Sequence, residues 1–354
     1  MAQSTTAASS WPRTRLRLSE YGQRVAGYAV LTAVAFWLLI NFLASPTDFF
    51  SAVVFGLGNG ALYALIALGY SLVYGIIELI NFAHGDLFML GTLFSAMIVA
   101  TTFGMFDQTA SLGPLGWATL VLALLLTAAF CAVVNVTIEF LAYRRLRHAP
   151  KLAPLITAVG MSFILQFIGL KWNGSGQKQT QTMLPTGYFD IAGVRIYTSL
   201  LVVLAVTIPA LILMTWIVTQ TRPGKAMRAV AQDQDAARLM GINVNRIISF
   251  TFALGGALAG IAGVMYQQVI GTTRFDLGLQ LGLMAFTAAV LGGIGSLPGA
   301  VLGGVLIGVI QGLNEGVKYG AGQRWTQSVV FSILILMLVF KPAGLLGKAT
   351  REKV

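Results

Sequence analysis

Residues 49–77 contain no charged side chain, and runs of this kind recur along the chain. They lie at 25–44, 49–77, 87–106, 117–138, 152–170, 196–220, 247–271, 277–314 and 325–340. A backbone that enters hydrocarbon must satisfy its own N–H and C=O groups, so apolar runs of about 20 residues read as membrane-crossing helices. The run 277–314 is long enough for two shorter spans broken near 295–299. The expectation is an all-α integral membrane protein, a bundle of about ten spans with eight as the lower bound. Only 10% of residues are charged and mean hydropathy is +0.80, whereas soluble domains carry about 25% charged residues.

The formal net charge of +11 would point to nucleic acid in a soluble chain. Here the basic residues flank the spans, so orientation explains them. With the N-terminus in the cytoplasm, that side collects four groups. They are Arg13, Arg15, Arg17 and Arg24; Arg144, Arg145, Arg147 and Lys151; Arg222, Lys225, Arg228, Arg238 and Arg246; and Lys341, Lys348, Arg351 and Lys353. The opposite side keeps Lys171, Lys178, Arg195, Arg274, Lys318 and Arg324. This divides the chain into a basic cytoplasmic tail over 1–24, disordered in its first ten residues, a membrane domain over 25–341 and a cytoplasmic tail over 342–354. Residues 171–195 read as an excursion outside the membrane. Spans 2–5 and 7–10 would form two halves of opposite orientation.

Segment 221–246 is the longest water-compatible stretch between two strongly apolar runs. Thr221 suits a helix cap, Pro223 a first turn and Gly241 a C-terminal stop. One helix of about four turns is expected. It is either a solvated linker or a docking helix for a soluble partner.

Ionisable groups inside a membrane are functional candidates. Glu78, Asn81, His84 and Asp86 cluster after an apolar run bearing Tyr70 and Tyr74, and Thr287 lies in a later run. These seven are candidates for the lining of a translocation path. The plain alternative places the cluster in a short cytoplasmic turn that caps the next helix. Glu139, beside the basic loop at 143–151, reads as one half of a local salt bridge. Asn59 is a further uncharged polar group in an apolar run.

Glycines fall four apart at 56/60, 256/260, 295/299/303 and 304/308/312, a spacing that lets helices approach closely. Gly292, Gly293, Gly295, Pro298 and Gly299 form a break that either packs or gates. Cys131 is the single cysteine and the chain has two histidines. The sequence offers no metal-binding HExxH, no nucleophile elbow and no phosphate loop. An enzyme, a cofactor and a metal are therefore not expected. If ATP powers the chain, another subunit binds it.

Three ordered stretches carry a resemblance. Tyr74-Gly-Ile-Ile-Glu-Leu-Ile-Asn-Phe-Ala-His-Gly-Asp86, the segment from Arg228 to Asn243, and Ala285-Phe-Thr-Ala-Ala-Val-Leu-Gly-Gly-Ile-Gly-Ser-Leu-Pro-Gly-Ala300 resemble motifs of the branched-chain amino acid permeases of bacterial ABC importers. The likeness runs from about residue 50 to the C-terminus and is nearer the first of the two paired permeases. Asp86 stands where that family often has Glu, and the N-terminal extension is poorly matched.

The resemblance implies a multi-pass permease of the bacterial inner membrane with both termini cytoplasmic. It implies ABC ATPase subunits, a second permease copy or paralogue, an extracytoplasmic solute-binding protein and surrounding lipid as partners, and no nucleic acid. It assigns Pro223, Gly224, Arg228, Asp233, Asp235, Leu239 and Gly241 to ATPase docking. Branched-chain or other apolar amino acids are the implied solutes. Urea or short amides carried by the same assembly, and a stand-alone channel or proton-coupled carrier, remain open at this point.

Overall fold

The computed structural model describes residues 13–103, 113–147, 149–150, 152–179, 182–185 and 187–347. The expected disorder over 1–10, the end of the third expected span at 104–106 and the tail from 348 lie outside the described residues. The chain divides into two units, residues 1–46 and 47–354. The first holds α1, Arg13–Ala44. This helix begins well before the expected span at 25, so the basic stretch from Arg13 is helical backbone. Phe36 and Leu43 expose more than half of their surface.

The second unit is built from α2 (Pro46–Ile77), α3 (Ala83–Phe103), α4 (Pro114–Ile138), α5 (Leu152–Asn173), α6 (Thr198–Gln220), α7 (Arg222–Gln232), α8 (Gln234–Leu239), α9 (Val244–Ile270), α10 (Leu277–Gly292), α11 (Leu297–Gly316) and α12 (Thr326–Phe340). Among the described residues nine helices are long and apolar enough to cross a membrane, α1 included, and α10 is a shorter apolar helix. The expected break in 277–314 is therefore present, between α10 and α11. The excursion after α5 forms β1 (Lys178–Gln179) and a hairpin of β2 (Tyr188–Ile191) and β3 (Val194–Tyr197). β1 pairs antiparallel with β4, Thr272–Thr273, and Asp190 faces Arg195 across the hairpin.

Small residues set the helix packing. A Cβ added at Gly60 of α2 would lie 2.8 Å from the Cα of Val305 on α11. Cβ atoms at Gly256 and Gly260 of α9 would each lie 2.9 Å from a Cα of α4, that of Ala132 and that of Ala128. Between α3 and α10, a Cβ at Gly85 would lie 2.7 Å from the Cα of Gly282. Backbones that close exchange dispersion contacts that side chains would prevent. Exchanging α2–α5 with α9–α12 turns the α2–α11 seam into the α9–α4 seam and maps the α3–α10 contact onto itself.

Three local expectations need correction. The segment after Thr221 is two helices, because Asp233 leaves helical geometry (φ −158°, ψ 112°) and caps α8 with its own side chain. The α2–α3 link is shorter than expected: α3 starts at Ala83 and takes His84 and Asp86 into its buried first turn. Only residues 78–82 are irregular there, and Glu78 has φ 52°. α4 continues past Ile138 as a π-helical turn, Glu139–Tyr143. Pro298 falls at the expected break between α10 and α11 and opens α11 in its first turn.

Candidate functional site

Asp86 is fully buried on the first turn of α3. Its Oδ1 accepts from Gln166 Nε2 at 3.1 Å and its Oδ2 accepts from the Ser162 hydroxyl. Ser162 and Gln166 are one turn apart on α5, so both reach the same carboxylate. The Tyr70 ring meets His84 edge-on at 4.9 Å and Phe286 at 6.0 Å. Room for the imidazole comes from Gly69, where a Cβ would lie 2.7 Å from His84 Cε1. Tyr70, His84 and Asp86 thus meet among α2, α3, α5 and α10. A charge this deep is stabilised only through donors of the kind Ser162 and Gln166 supply.

The other candidates for the path make separate contacts. Asn81 is buried and accepts 2.7 Å from the Tyr143 hydroxyl. Tyr74 is half-buried and Glu78 is exposed. Thr287 is fully buried, but its hydroxyl turns back on Leu283 O of its own helix. Sequence reasoning missed Ser162, Gln166, Phe286 and Tyr143. An i, i+4 polar pair on an apolar helix was the available signal for the first two.

A second polar group, also missed, sits at the end of α9. The Thr92 and Thr273 hydroxyls are 2.6 Å apart, and Gln268 Oε1 accepts from Met183 N at 2.7 Å.

The α7–α8 pair hangs from the end of α6. Thr221 caps α7 by accepting from Gly224 N at 3.3 Å. Gly224 itself packs on backbone, since a Cβ there would lie 2.6 Å from Val218 C. The Arg228 guanidinium donates to the carbonyls of Val218 and Thr219. It therefore satisfies the end of α6 rather than reaching outward. Met227 and Val230 are buried beneath α7.

Asp233 Oδ1 accepts from Asp235 N at 2.9 Å and Ala236 N at 3.0 Å. Asp235 pairs with Arg238 at 2.9 Å. Gly241 takes φ 80° and reverses the chain. At the tip, Leu239 and Met240 are 89% and 82% exposed.

Beside this pair, the fully buried Glu139 binds Arg144 at 2.9 Å and also Arg147. It accepts from Ser249 of α9 at 2.7 Å. Burial lowers the Arg147 guanidinium from its ordinary value, while the charge of Glu139 acts in the opposite sense. Arg147 also donates to Asn245 Oδ1 at 2.7 Å. The clasp holds the end of α4 to the start of α9.

The α10–α11 turn uses left-handed Gly293 (φ 106°) and Gly295 (φ 84°). Ser296 accepts from Gly299 N at 3.2 Å. Gly292 and Gly299 pack backbone to backbone, a Cβ at Gly299 lying 2.9 Å from Gly292 C. After α12 the chain returns to this turn. Leu345 N donates to Leu291 O and Leu346 N to Gly292 O, each at 2.9 Å. Carbonyls that end α10 find partners this way. Among the described residues no group of His, Cys, Asp and Glu could hold a metal.

Residues 52–339 match the family model described as the branched-chain amino acid transport system / permease component. The high-affinity branched-chain amino acid transport system permease protein BraD of Pseudomonas aeruginosa is 40% identical over 315 residues, covering 85% of this chain and 97% of BraD. The corresponding permease protein LivH of Escherichia coli is 37% identical over 309 residues, covering 84% of this chain and 96% of LivH. The autoinducer 2 import system permease protein LsrC of Klebsiella pneumoniae is 38% identical over 84 residues, covering 24% of each chain. The family match begins inside α2 and leaves α1 outside it.

Proposed function

The chain belongs to the branched-chain amino acid transport system permease family, and from that premise we propose that it is the inner-membrane permease of an ATP-driven importer of branched-chain amino acids. ATP is bound and hydrolysed by separate subunits docked on α7 and α8. The observation that carries the docking is the exposed Leu239–Met240 pair at the tip of α8. Two large apolar side chains in water, on a helix fixed by the Asp233 cap, fit the apolar pocket of a partner. Arg228 and Gly224 transmit the push of that partner to α6, because Arg228 binds the last carbonyls of α6 and Gly224 packs on the same backbone.

Tyr70, His84 and Asp86 are the leading candidates for the path, with Tyr74 and Asn81 flanking them. A zwitterion has no net charge, so uncharged polar groups and one shielded carboxylate suit its passage better than fixed ions. A solute-binding protein delivers the amino acid on the side away from α8. A second permease completes the path.

The test is uptake of labelled leucine into proteoliposomes holding this chain, its second permease, its ATPases and its binding protein. ATP-dependent uptake, suppressed by excess isoleucine and untouched by excess urea, is expected. Uptake by this chain alone without ATP, or suppression by urea, would sink the proposal.

A further inference from the structure

A cavity of about 830 Å³ opens beside the first turns of α2 and α6, the end of α11 and the β2–β3 hairpin. Its volume lies in the range of small-molecule sites. It sits at the start of α6, and α7 and α8 hang from the other end of that helix. The two ends are about 33 Å apart at the α-helical rise, roughly the thickness of a bilayer core.

The lining is unlike that of a lipid-facing groove. Arg195, Asp48 and Glu315 contribute both signs of charge. Phe55, Leu62 and Val203 supply an apolar floor.

Two of the charged groups are held in place. The Arg195 guanidinium lies over the Tyr188 ring at 5.3 Å. Both donors to Glu315, Thr326 Oγ1 at 2.8 Å and Gln311 Nε2 at 3.1 Å, act on one oxygen, Oε1. Gln311 in turn accepts from the Tyr63 hydroxyl at 2.7 Å. A hydrogen-bonded line therefore runs from the cavity wall into the core between α2 and α11.

We infer that this cavity is a receiving subsite for a free zwitterionic amino acid at the mouth opposite the docking helices. Arg195 binds the α-carboxylate. Glu315, with Asp48 nearby, binds the α-ammonium. The floor takes an aliphatic side chain. A guanidinium on the hairpin and carboxylates on α2 and α11, around an apolar floor, offer a contact to each end of a zwitterion that an ion of a single sign uses only in part. The inference rests on the proposed transport of amino acids.

The assembled importer in nanodiscs, without its binding protein, is titrated with labelled leucine. Leucinamide, which lacks the carboxylate, and 4-methylvalerate, which lacks the ammonium, are the competitors. The wild type should bind leucine about tenfold or more tightly than either analogue, since each loses a charge-assisted contact. Arg195→Gln should lose the preference over leucinamide. Glu315→Gln, which keeps an acceptor for Thr326, should lose the preference over 4-methylvalerate. A weakened variant that keeps its full preferences has only been perturbed structurally, and that result overturns the subsite. So does unchanged binding in both variants, or leucine uptake in proteoliposomes without measurable binding to the wild type in nanodiscs. Failure of the wild-type importer to take up leucine overturns the underlying transport reading instead.

Discussion

The Tyr143 hydroxyl donates a 2.7 Å hydrogen bond to Asn81 Oδ1. Both residues are buried, and the bond ties the π turn after α4 to the irregular link between α2 and α3. Tyr143→Phe deletes the donor and strands a buried acceptor, at a cost of about 1–3 kcal/mol. Thermal unfolding of the detergent-purified chain should show a lower midpoint. Asn81→Ala should then cost less in the Tyr143→Phe background than in the wild type. Equal losses in the two backgrounds would mean that the bond contributes nothing.

Gly60 and Gly160 should separate packing from composition. A Cβ at Gly60 meets backbone of Val305 at 2.8 Å, whereas one at Gly160 has nothing within 4 Å. Gly60→Leu must push α2 and α11 apart, and a loss of ~1–3 kcal/mol is expected for forced overpacking. Gly160→Leu should be tolerated. The midpoint of thermal unfolding and the monodisperse fraction after extraction give the comparison. Equal tolerance of both changes would reject the α2–α11 seam.

Asp233 caps α8 with two backbone bonds. Asp233→Ala should loosen α8 by about 1 kcal/mol, and Asp233→Ser should restore most of it. Hydrogen exchange at residues 235–240 is the readout, because the fraying is local. Protection unchanged in Asp233→Ala would show that the break in 222–239 has another cause.

Leu239 and Met240 touch water rather than core. Replacing both with Asp should leave unfolding of the isolated chain within about 0.5 kcal/mol of wild type. Capture of the ATPase subunits by the tagged chain should fall to background. Arg228→Glu should behave differently and destabilise the chain itself, since Arg228 serves the end of α6. Retained capture by the Leu239/Met240 variant would remove the docking assignment from α8.

Much of the architecture was legible in the sequence, because hydrocarbon admits so few backbone solutions. The run 277–314 was readable as two helices from length and Pro298. Glycines four apart marked close seams, and 56/60 and 256/260 do lie where α2 meets α11 and α9 meets α4. The polar residues around 78–86 were visible as a group, but their separation was not. Helix phase and the start of α3 at Ala83 put His84 and Asp86 inside and leave Glu78 in water. Arg228 looked like a residue for a partner because its acceptors, Val218 and Thr219, are carbonyls that any sequence would carry.

What the sequence determined by itself was the membrane class, the number of crossings to within one or two, and the places where helices could touch closely. Length, hydropathy and small side chains act locally, so one dimension is enough to read them. Tertiary structure alone decided which polar groups share a site. Asp86 meets Ser162 and Gln166, and Arg195 lines one cavity with Glu315. These partners lie tens of residues or more apart. Only the packing of several helices brings Asp86 within hydrogen-bond range of its donors, where desolvation makes each bond strong, and sets Arg195 and Glu315 around one cavity.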